Sequence, residues 1–230
     1  MTIELYDLVG RDDRRFSPYC WRIRMALEHK QLKYKTIPVR FTDKHLIQFS
    51  GQTRVPVIRD GQNVVTDSWK IAKYLEQSYS DRPSLFGGEA KESWSCFLNN
   101  WVDTKLHSAI IRLVIADILD HVDKQDREYF LKSRTARFGM PPEKMQSRSK
   151  EDLDFFNEAK STLRSALSTS NFFGGIRPSY KDYIVFGAFA WARAISQFAL
   201  LAKEDPMHEW RARMLELFDE MGRKVPGYPV

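Results

Sequence analysis

The chain has 230 residues, 43% of them hydrophobic and 29% charged, with a formal net charge of +6. That balance suits one large globular domain or two small ones, and it excludes a disordered or collagen-like chain. Cys20 and Cys96 are its two cysteines, too few for a disulfide framework, so a reduced, cytoplasmic compartment is expected.

Ile3-Glu4-Leu5-Tyr6-Asp7-Leu8 alternates and predicts a strand. A helix follows with Trp21 and Met25 on one side, then a second strand from Leu32 to Val39, rich in β-branched and aromatic residues. A helix is expected over about Thr42 to Phe49. Val55 to Arg59, the turn signal Asp60-Gly61, and Gln62 to Val65 predict a hairpin. Ser68 to Tyr79 has helical spacing. The order makes residues 1–82 a small α/β unit.

Turn chemistry at Ser80 to Ser84 reads as the start of a linker over 83–90, and 91–230 reads as all-helical. Trp94, Phe97, Leu98 and Trp101 fall at helical spacing, and the stripe continues through Ile110, Ile111, Val114, Ile115 and Ile118. Gly139-Met140-Pro141-Pro142 breaks the next helix, and Leu153, Phe156, Ala159, Leu163 and Leu167 mark another. Ser179 and Asp182 have capping-box spacing before an apolar helix. A last helix carries Trp210, Met214, Leu217 and Phe218.

Residues 1–82 hold 15 of the basic residues against 10 acidic ones, so the positive excess belongs mainly to this unit. Arg11, Arg14, Arg15, Arg22 and Arg24 flank one short segment, which reads either as a solvated surface or as a positive field that favours an anionic partner such as a small anionic ligand. No zinc-finger spacing, aromatic–basic signature or basic tail accompanies the charge, so no nucleic acid is expected. No apolar run approaches the ~18 residues of a membrane span, and the first residues lack the regions of a signal peptide, so no membrane partner is expected. The five histidines form no metal-ligand spacing, and no metal is expected.

Ser17-Pro18-Tyr19-Cys20-Trp21-Arg22 follows the first strand and opens the first helix. Ser suits the N-cap and Pro the first helical position. A hydroxyl there sits beside free N–H groups and the positive end of a helix dipole, where an anion is stabilised. The spacing is that of a redox Cys-Pro-Tyr-Cys turn with Ser17 in place of the first Cys. Dithiol exchange is thereby disfavoured, while a thiolate arriving on a ligand remains admissible; by local pattern alone Ser17 reads first as a plain cap. Cys20 lies one turn inside the helix and reads as an inert packed thiol rather than a resolving one. Arg54-Val55-Pro56-Val57 starts a strand with Pro, which leaves nearby backbone groups free. Asp67-Ser68 precedes the next helix: the carboxylate can hold an ammonium and the helix N-terminus a carboxylate, or the pair can be only a cap.

In this order the segments resemble the cytosolic glutathione transferase superfamily. Trp21-Arg22-Ile23-Arg24 with Ala26 and Leu27 is similar to the zeta-class signature, whose second Ser is Pro18 here. The closer likeness is to bacterial lignin β-etherases and fungal etherase-type transferases. It rests on Ser17-Pro18-Tyr19, Arg54 to Ile58, Asp67-Ser68-Trp69, Tyr79 to Pro83, Asp205-Pro206, Trp210, Leu217-Phe218-Asp219 and Gly222-Arg223. The resemblance implies a thioredoxin-like α/β domain followed by an all-α domain, in a homodimer. It implies that Ser17 stabilises the thiolate of glutathione, the co-substrate, and that Val55 pairs with its cysteinyl backbone beside a cis bond to Pro56. Asp67 and Ser68 would hold the γ-glutamyl end. His45 or Arg40 would meet the glycine carboxylate, and Arg54 stands where other classes carry Gln. The second substrate would be a hydrophobic aromatic electrophile, with β-aryl ether cleavage as the etherase-type reaction. Trp101, His107 and Phe138 are candidates for its pocket, although such residues at helical spacing read first as core. A zeta-like isomerase and a non-catalytic binder of aromatic compounds are the competing readings.

Overall fold

The computed structural model describes residues 2–229. β1 (Ile3–Leu8) pairs in parallel with β2 (Tyr34–Val39) and antiparallel with β3 (Val57–Asp60), which pairs antiparallel with β4 (Asn63–Thr66). The sheet order is β2-β1-β3-β4. α1 (Pro18–His29) connects the parallel pair, as a parallel crossover requires. α2 (Ser68–Ser78) follows the hairpin. This is the thioredoxin-like arrangement expected of the first region.

Two local expectations shift. The hairpin loop is Gly61-Gln62, one residue later than the Asp60-Gly61 signal, because Asp60 already pairs with Asn63. The helix expected near 42–49 is a run of 3-10 turns over Lys44–Ser50. Its entry is fixed from outside the segment: the buried Asp126 carboxylate accepts from the Phe41 N–H at 3.0 Å, the Thr42 N–H at 2.9 Å and the Thr42 hydroxyl at 2.6 Å.

The remaining elements are helical. α3 (Glu89–Trp101) runs through a π-turn at Val102–Leu106 into α4 (His107–Val114). α5 (Lys124–Phe138), α6 (Pro142–Met145), α7 (Lys150–Leu167), α8 (Tyr180–Ile195) and α9 (Pro206–Lys224) complete the bundle. Gly139 caps α5 in the left-handed region (φ 76°), where glycine is the default residue. Leu217 to Glu220 interrupt the helical backbone of α9, with Phe218, Asp219 and Glu220 left-handed. The expected capping box opens α8: the Asp182 carboxylate accepts the Ser179 N–H at 2.9 Å, and it also gathers the N–H groups of Phe173 and Gly174 and the Trp210 indole. One correction concerns the stripe at the start of α3. Trp94 and Phe97 are 68% and 62% exposed, so this end of the stripe is a surface rather than core.

α8 is the central column. It is buried on nearly every side, and α1 packs along it. The close approach has a specific cause: Gly187 faces the Pro18 backbone, leaving no room for a Cβ. Trp21 meets Phe186 edge-on at 5.7 Å. Polar links tie both helices to α2. Lys30, fully buried, pairs with Glu76 at 2.8 Å, and the Tyr180 hydroxyl donates to the Ser68 carbonyl at 3.0 Å.

Candidate functional site

Strand register brings the sequence motifs to one edge of the sheet. Leu8 lies opposite Val39, Tyr6 opposite Val57, and Val57 opposite Thr66. The C-terminal ends of β1 and β2, the start of β3 and the end of β4 therefore share that edge. The loop to Ser17 leaves β1 there, Arg40 follows β2, Val55-Pro56 precedes β3, and Asp67-Ser68 follows β4.

Ser17 is the N-cap of α1, in extended conformation and 5% exposed. Its Oγ accepts the Cys20 N–H at 3.2 Å. A serine hydroxyl has one proton and two acceptor sites. The cap uses an acceptor site, which leaves the proton for the Cys20 sulfur or for another group at the helix N-terminus, where the dipole favours negative charge. Cys20 is 1% exposed, and burial first, then the Asp7 carboxylate, push its thiol well up. It remains a neutral thiol, as the inert reading expects.

The Val55-Pro56 bond is cis, as the resemblance implies. The β3 ladder begins only at Val57, leaving Val55 outside it. Asp67 caps α2 with φ +70°, a conformation costing a non-glycine residue about 1–3 kcal/mol and retained typically where a ligand is held. Its Oδ1 accepts the N–H groups of Trp69 and Lys70, each at 3.1 Å. Its Oδ2 has no partner among the described residues. Asp67 is exposed and Ser68 is 3% exposed.

The electrostatics correct the expectation drawn from the five clustered arginines. All are engaged internally. Arg15 and Arg24 pair with the buried Asp7 at 3.4 and 3.2 Å, and Arg22 pairs with Asp103 at 2.6 Å. Arg14 donates to the Ala194 carbonyl at 2.7 Å, and Arg11 to the Asp120 carbonyl at 2.5 Å. Arg11 and Arg14 thereby pin the loop before Ser17 to the helical domain, Arg22 joins α1 to it, and Arg15 and Arg24 are balanced by Asp7 within the sheet domain. Arg40 is likewise committed, to Asp123 at 2.5 Å.

Of the cations left without a carboxylate partner at this end of the sheet, sequence reasoning named Arg54 and passed over three others. Lys44, Arg54, Arg134 and Arg137 have no carboxylate within ion-pair distance among the described residues. Lys44 sits over the Tyr129 ring at 5.5 Å, and Arg134 over Phe41 and Phe130 at 4.9 and 4.8 Å. Burial lowers Arg134 to about 10, with the positive charges of Arg137 and Arg54 adding to the effect. Burial, then Arg134 and Arg54, lower Lys44. The nearby Asp126 does not neutralise them by contact; its oxygens serve Phe41 and Thr42. These cations lie close enough for Arg54 to act on both Lys44 and Arg134 and for Arg134 to act on Lys44. Arg54 and His45 are both exposed, and His45 has no hydrogen bond among the described residues.

The pocket candidates separate. His107 is 9% exposed and packs edge-on against Tyr19 at 5.5 Å and Trp191 at 5.9 Å. Trp101 and Phe138 are half-buried, and the Arg137 guanidinium lies 5.0 Å over Phe138. Among the described residues no three His, Cys, Asp or Glu side chains gather to hold a metal ion. No helix among them is long and apolar enough to cross a membrane.

The family model for the glutathione S-transferase N-terminal domain matches residues 16–78, and that for the C-terminal domain matches residues 93–216. The chain is 36% identical over 75 residues to the pyrimidodiazepine synthase of Drosophila melanogaster, covering 30% of this chain and 31% of that one. It is 37% identical over 71 residues to a zeta-class glutathione S-transferase of Euphorbia esula, covering 28% and 31%. The matched part thus spans about a third of these curated relatives. Among solved structures, glutathione transferase GSTFuA3 of Phanerochaete chrysosporium superposes with a TM-score of 0.84 at 24% identity, over 93% of this chain and 96% of that one. The glutathione S-transferase CsGST63524 of Ceriporiopsis subvermispora, solved with glutathione, superposes with a TM-score of 0.84 at 22% identity, over 98% and 99%. At these identities the superpositions bear on the fold.

Proposed function

From the premise that the chain belongs to the glutathione S-transferase family, whose two domain models it matches, we propose that Ser17 holds the glutathione thiolate for attack on an electrophilic aromatic substrate. The observation that carries this reading is the place of the Ser17 hydroxyl, capping the N-terminus of α1 as an acceptor from the Cys20 N–H. The cap to Cys20 occupies an acceptor site and leaves the donor over the positive end of α1. A hydroxyl donor and a helix N-terminus both lower the pKa of a nearby thiol.

The rest of the site matches the chemistry of glutathione, which has two carboxylates and one ammonium group. The unpartnered Oδ2 of Asp67 suits the ammonium, and Ser68 with the N-terminus of α2 suits the adjacent carboxylate. The backbone of Val55, outside the ladder, suits the cysteinyl amide. For the glycine carboxylate we now favour Lys44 and Arg54 over Arg40, whose charge Asp123 already balances, and over His45. The second substrate would sit between α1 and the helical domain. A β-aryl ether is the electrophile we favour, and a homodimer, with the exposed Trp94 and Phe97 as apolar surface for it, is part of the same proposal.

Ser17→Ala tests the reading. Turnover of glutathione with a β-aryl ether ketone and with a generic chloro-aromatic is expected to fall by ~10²–10³, the loss typical of one well-aimed donor. The pH profile is expected to move upward as the bound thiol becomes less acidic. Unchanged turnover in a folded variant refutes the role of Ser17. The zeta-class relative favours a second reading, isomerisation without consumption of glutathione. Mass spectrometry separates the two, because an isomerase leaves no glutathione in its products.

A further inference from the structure

The π-turn at Val102–Leu106 is not used by the reading above, nor is the buried polar cluster it carries. π-turns inside α-helices concentrate at functional positions. Arg22 is wholly buried, with Nη1 donating to Asn99 Oδ1 at 2.7 Å and Nη2 to Asp103 Oδ1 at 2.6 Å. Asp103, within the π-turn, also lies 3.5 Å from His107 Nδ1. The cluster is incompletely satisfied: Arg22 Nε and His107 Nε2 are buried without partners. A buried ion pair of this kind contributes little net stability compared with apolar packing.

What the cluster does hold is Tyr19. The Arg22 guanidinium lies 4.8 Å over the face of the Tyr19 ring, and His107 meets the ring edge-on at 5.5 Å. His107 is backed in turn by Trp191. The ring is thus gripped by its own helix and by α4. Its hydroxyl has no hydrogen-bond partner among the described residues and is not one of the sealed-off unpaired atoms. Tyr19 is half-buried on the first turn of α1, two residues beyond Ser17, and it faces the helical domain. Burial, and after it the Asp103 carboxylate, raise the phenol's pKa, so at neutral pH it carries its proton.

We propose that Tyr19 is a second catalytic residue, whose hydroxyl donates its proton to the departing oxygen of the electrophile. Arg22, Asp103 and His107 are positioning residues that hold its ring. The inference rests on the reading of a thiolate attacking an electrophile. In the step, the thiolate sulfur bonds to carbon as the carbon–oxygen bond to the leaving aryloxide breaks. The bonding pair goes to that oxygen, and the Tyr19 proton goes with it. The products are a thioether and a free phenol, and the Tyr19 phenolate recovers a proton from water. Burial raises the proton affinity of the Tyr19 oxygen, so its proton passes most readily to the most basic aryloxides, and its help is greatest for the least acidic leaving phenols.

The test compares wild type with Tyr19→Phe on aryl ethers graded in the acidity of the phenol they release. The replacement keeps the ring and its packing. For the least acidic phenol, kcat/KM is expected to fall by ~10²-fold. For the most acidic phenol the loss is expected to be much smaller, so the dependence of rate on leaving-group acidity steepens. A structural role for Tyr19 would lower every substrate alike. If wild type releases phenols and the two slopes are equal, the role of Tyr19 is overturned while the transferase reading stands. If wild type conjugates a chloro-aromatic but releases no phenol, the aryl-ether reading falls, and the proposal falls with it.

Discussion

Gly187→Ala tests the joint that places Ser17. A Cβ at this position would overlap the Pro18 carbonyl oxygen and lie 3.1 Å from its carbonyl carbon and 3.4 Å from its Cα. The obstacle is backbone, so no side-chain rotation relieves it. Restoring ordinary contact requires α1 and α8 to separate by about 1 Å at this point, against carbon–carbon contacts of about 3.5–4.0 Å elsewhere in a core. Overpacking of this kind costs about 1–3 kcal/mol. In a chain of this length that lowers the thermal midpoint by about 2–12 °C. The catalytic consequence is separate. Pro18 adjoins Ser17, so the displacement passes directly to the hydroxyl, and a 1 Å misplacement costs about 10²-fold in rate. The assays are thermal unfolding and kcat/KM for glutathione conjugation of a chloro-aromatic. A variant with the wild-type midpoint and the wild-type rate would refute the view that Gly187 sets the height of α1.

His107 gives a pH dependence of stability. Burial first, then the charges of Arg22 and Arg137, hold its imidazole well below the usual value of 6.5. A group with a lowered folded pKa contributes its full stability above the unfolded value and loses it as pH falls toward the folded one. Urea unfolding at pH 7, 6 and 5 is therefore expected to show stability falling below pH 6.5, with His107 accounting for up to about 1.4 kcal/mol per pH unit. His107→Gln should flatten that slope, and an unchanged slope would count against the assignment. The buried pair beside it predicts an asymmetry. Asp103→Ala leaves a wholly buried guanidinium with Asn99 as its remaining partner and is expected to cost about 3–5 kcal/mol. Arg22→Met leaves Asp103, 29% exposed and able to hydrate, and is expected to cost less than half as much in the same urea assay.

What was legible in the sequence was local. Alternation in Ile3–Leu8 gave β1 its bounds, and Ser179 with Asp182 marked the start of α8. The Ser-Pro, Val-Pro and Asp-Ser segments were each visible, but each alone fits a cap or a strand start. Their meeting at one sheet edge follows from strand register, a pairing between distant residues. The same holds for the misreadings. Periodicity showed that Trp94, Phe97 and Leu98 share a face without showing what covers it. Residues 44–50 wind as 3-10 turns after a carboxylate from α5 fixes the chain just before them. Composition counted the arginines near Ser17, but their partners include Asp103 and the carbonyls of Asp120 and Ala194, far along the chain. The π-turn has no comparable sequence signature. Gly187 offered a usable signal: an isolated glycine within an apolar helical run marks a close approach.

The grip of α8 on α1 limits how this chain could have diversified. The helix that Ser17 caps has its inner face, Trp21 included, packed against the other domain, and the loop before it is pinned there by Arg11 and Arg14. The two halves are therefore poor candidates for modular exchange. A chimera joining residues 1–82 to the helical half of a relative would inherit the proposed thiolate site, but its height over the second substrate would be set by a foreign column. Recombination across the linker would have to carry the counterpart of Gly187 with it, so selection for new substrates is expected to have worked on residues around the cleft more readily than on whole halves.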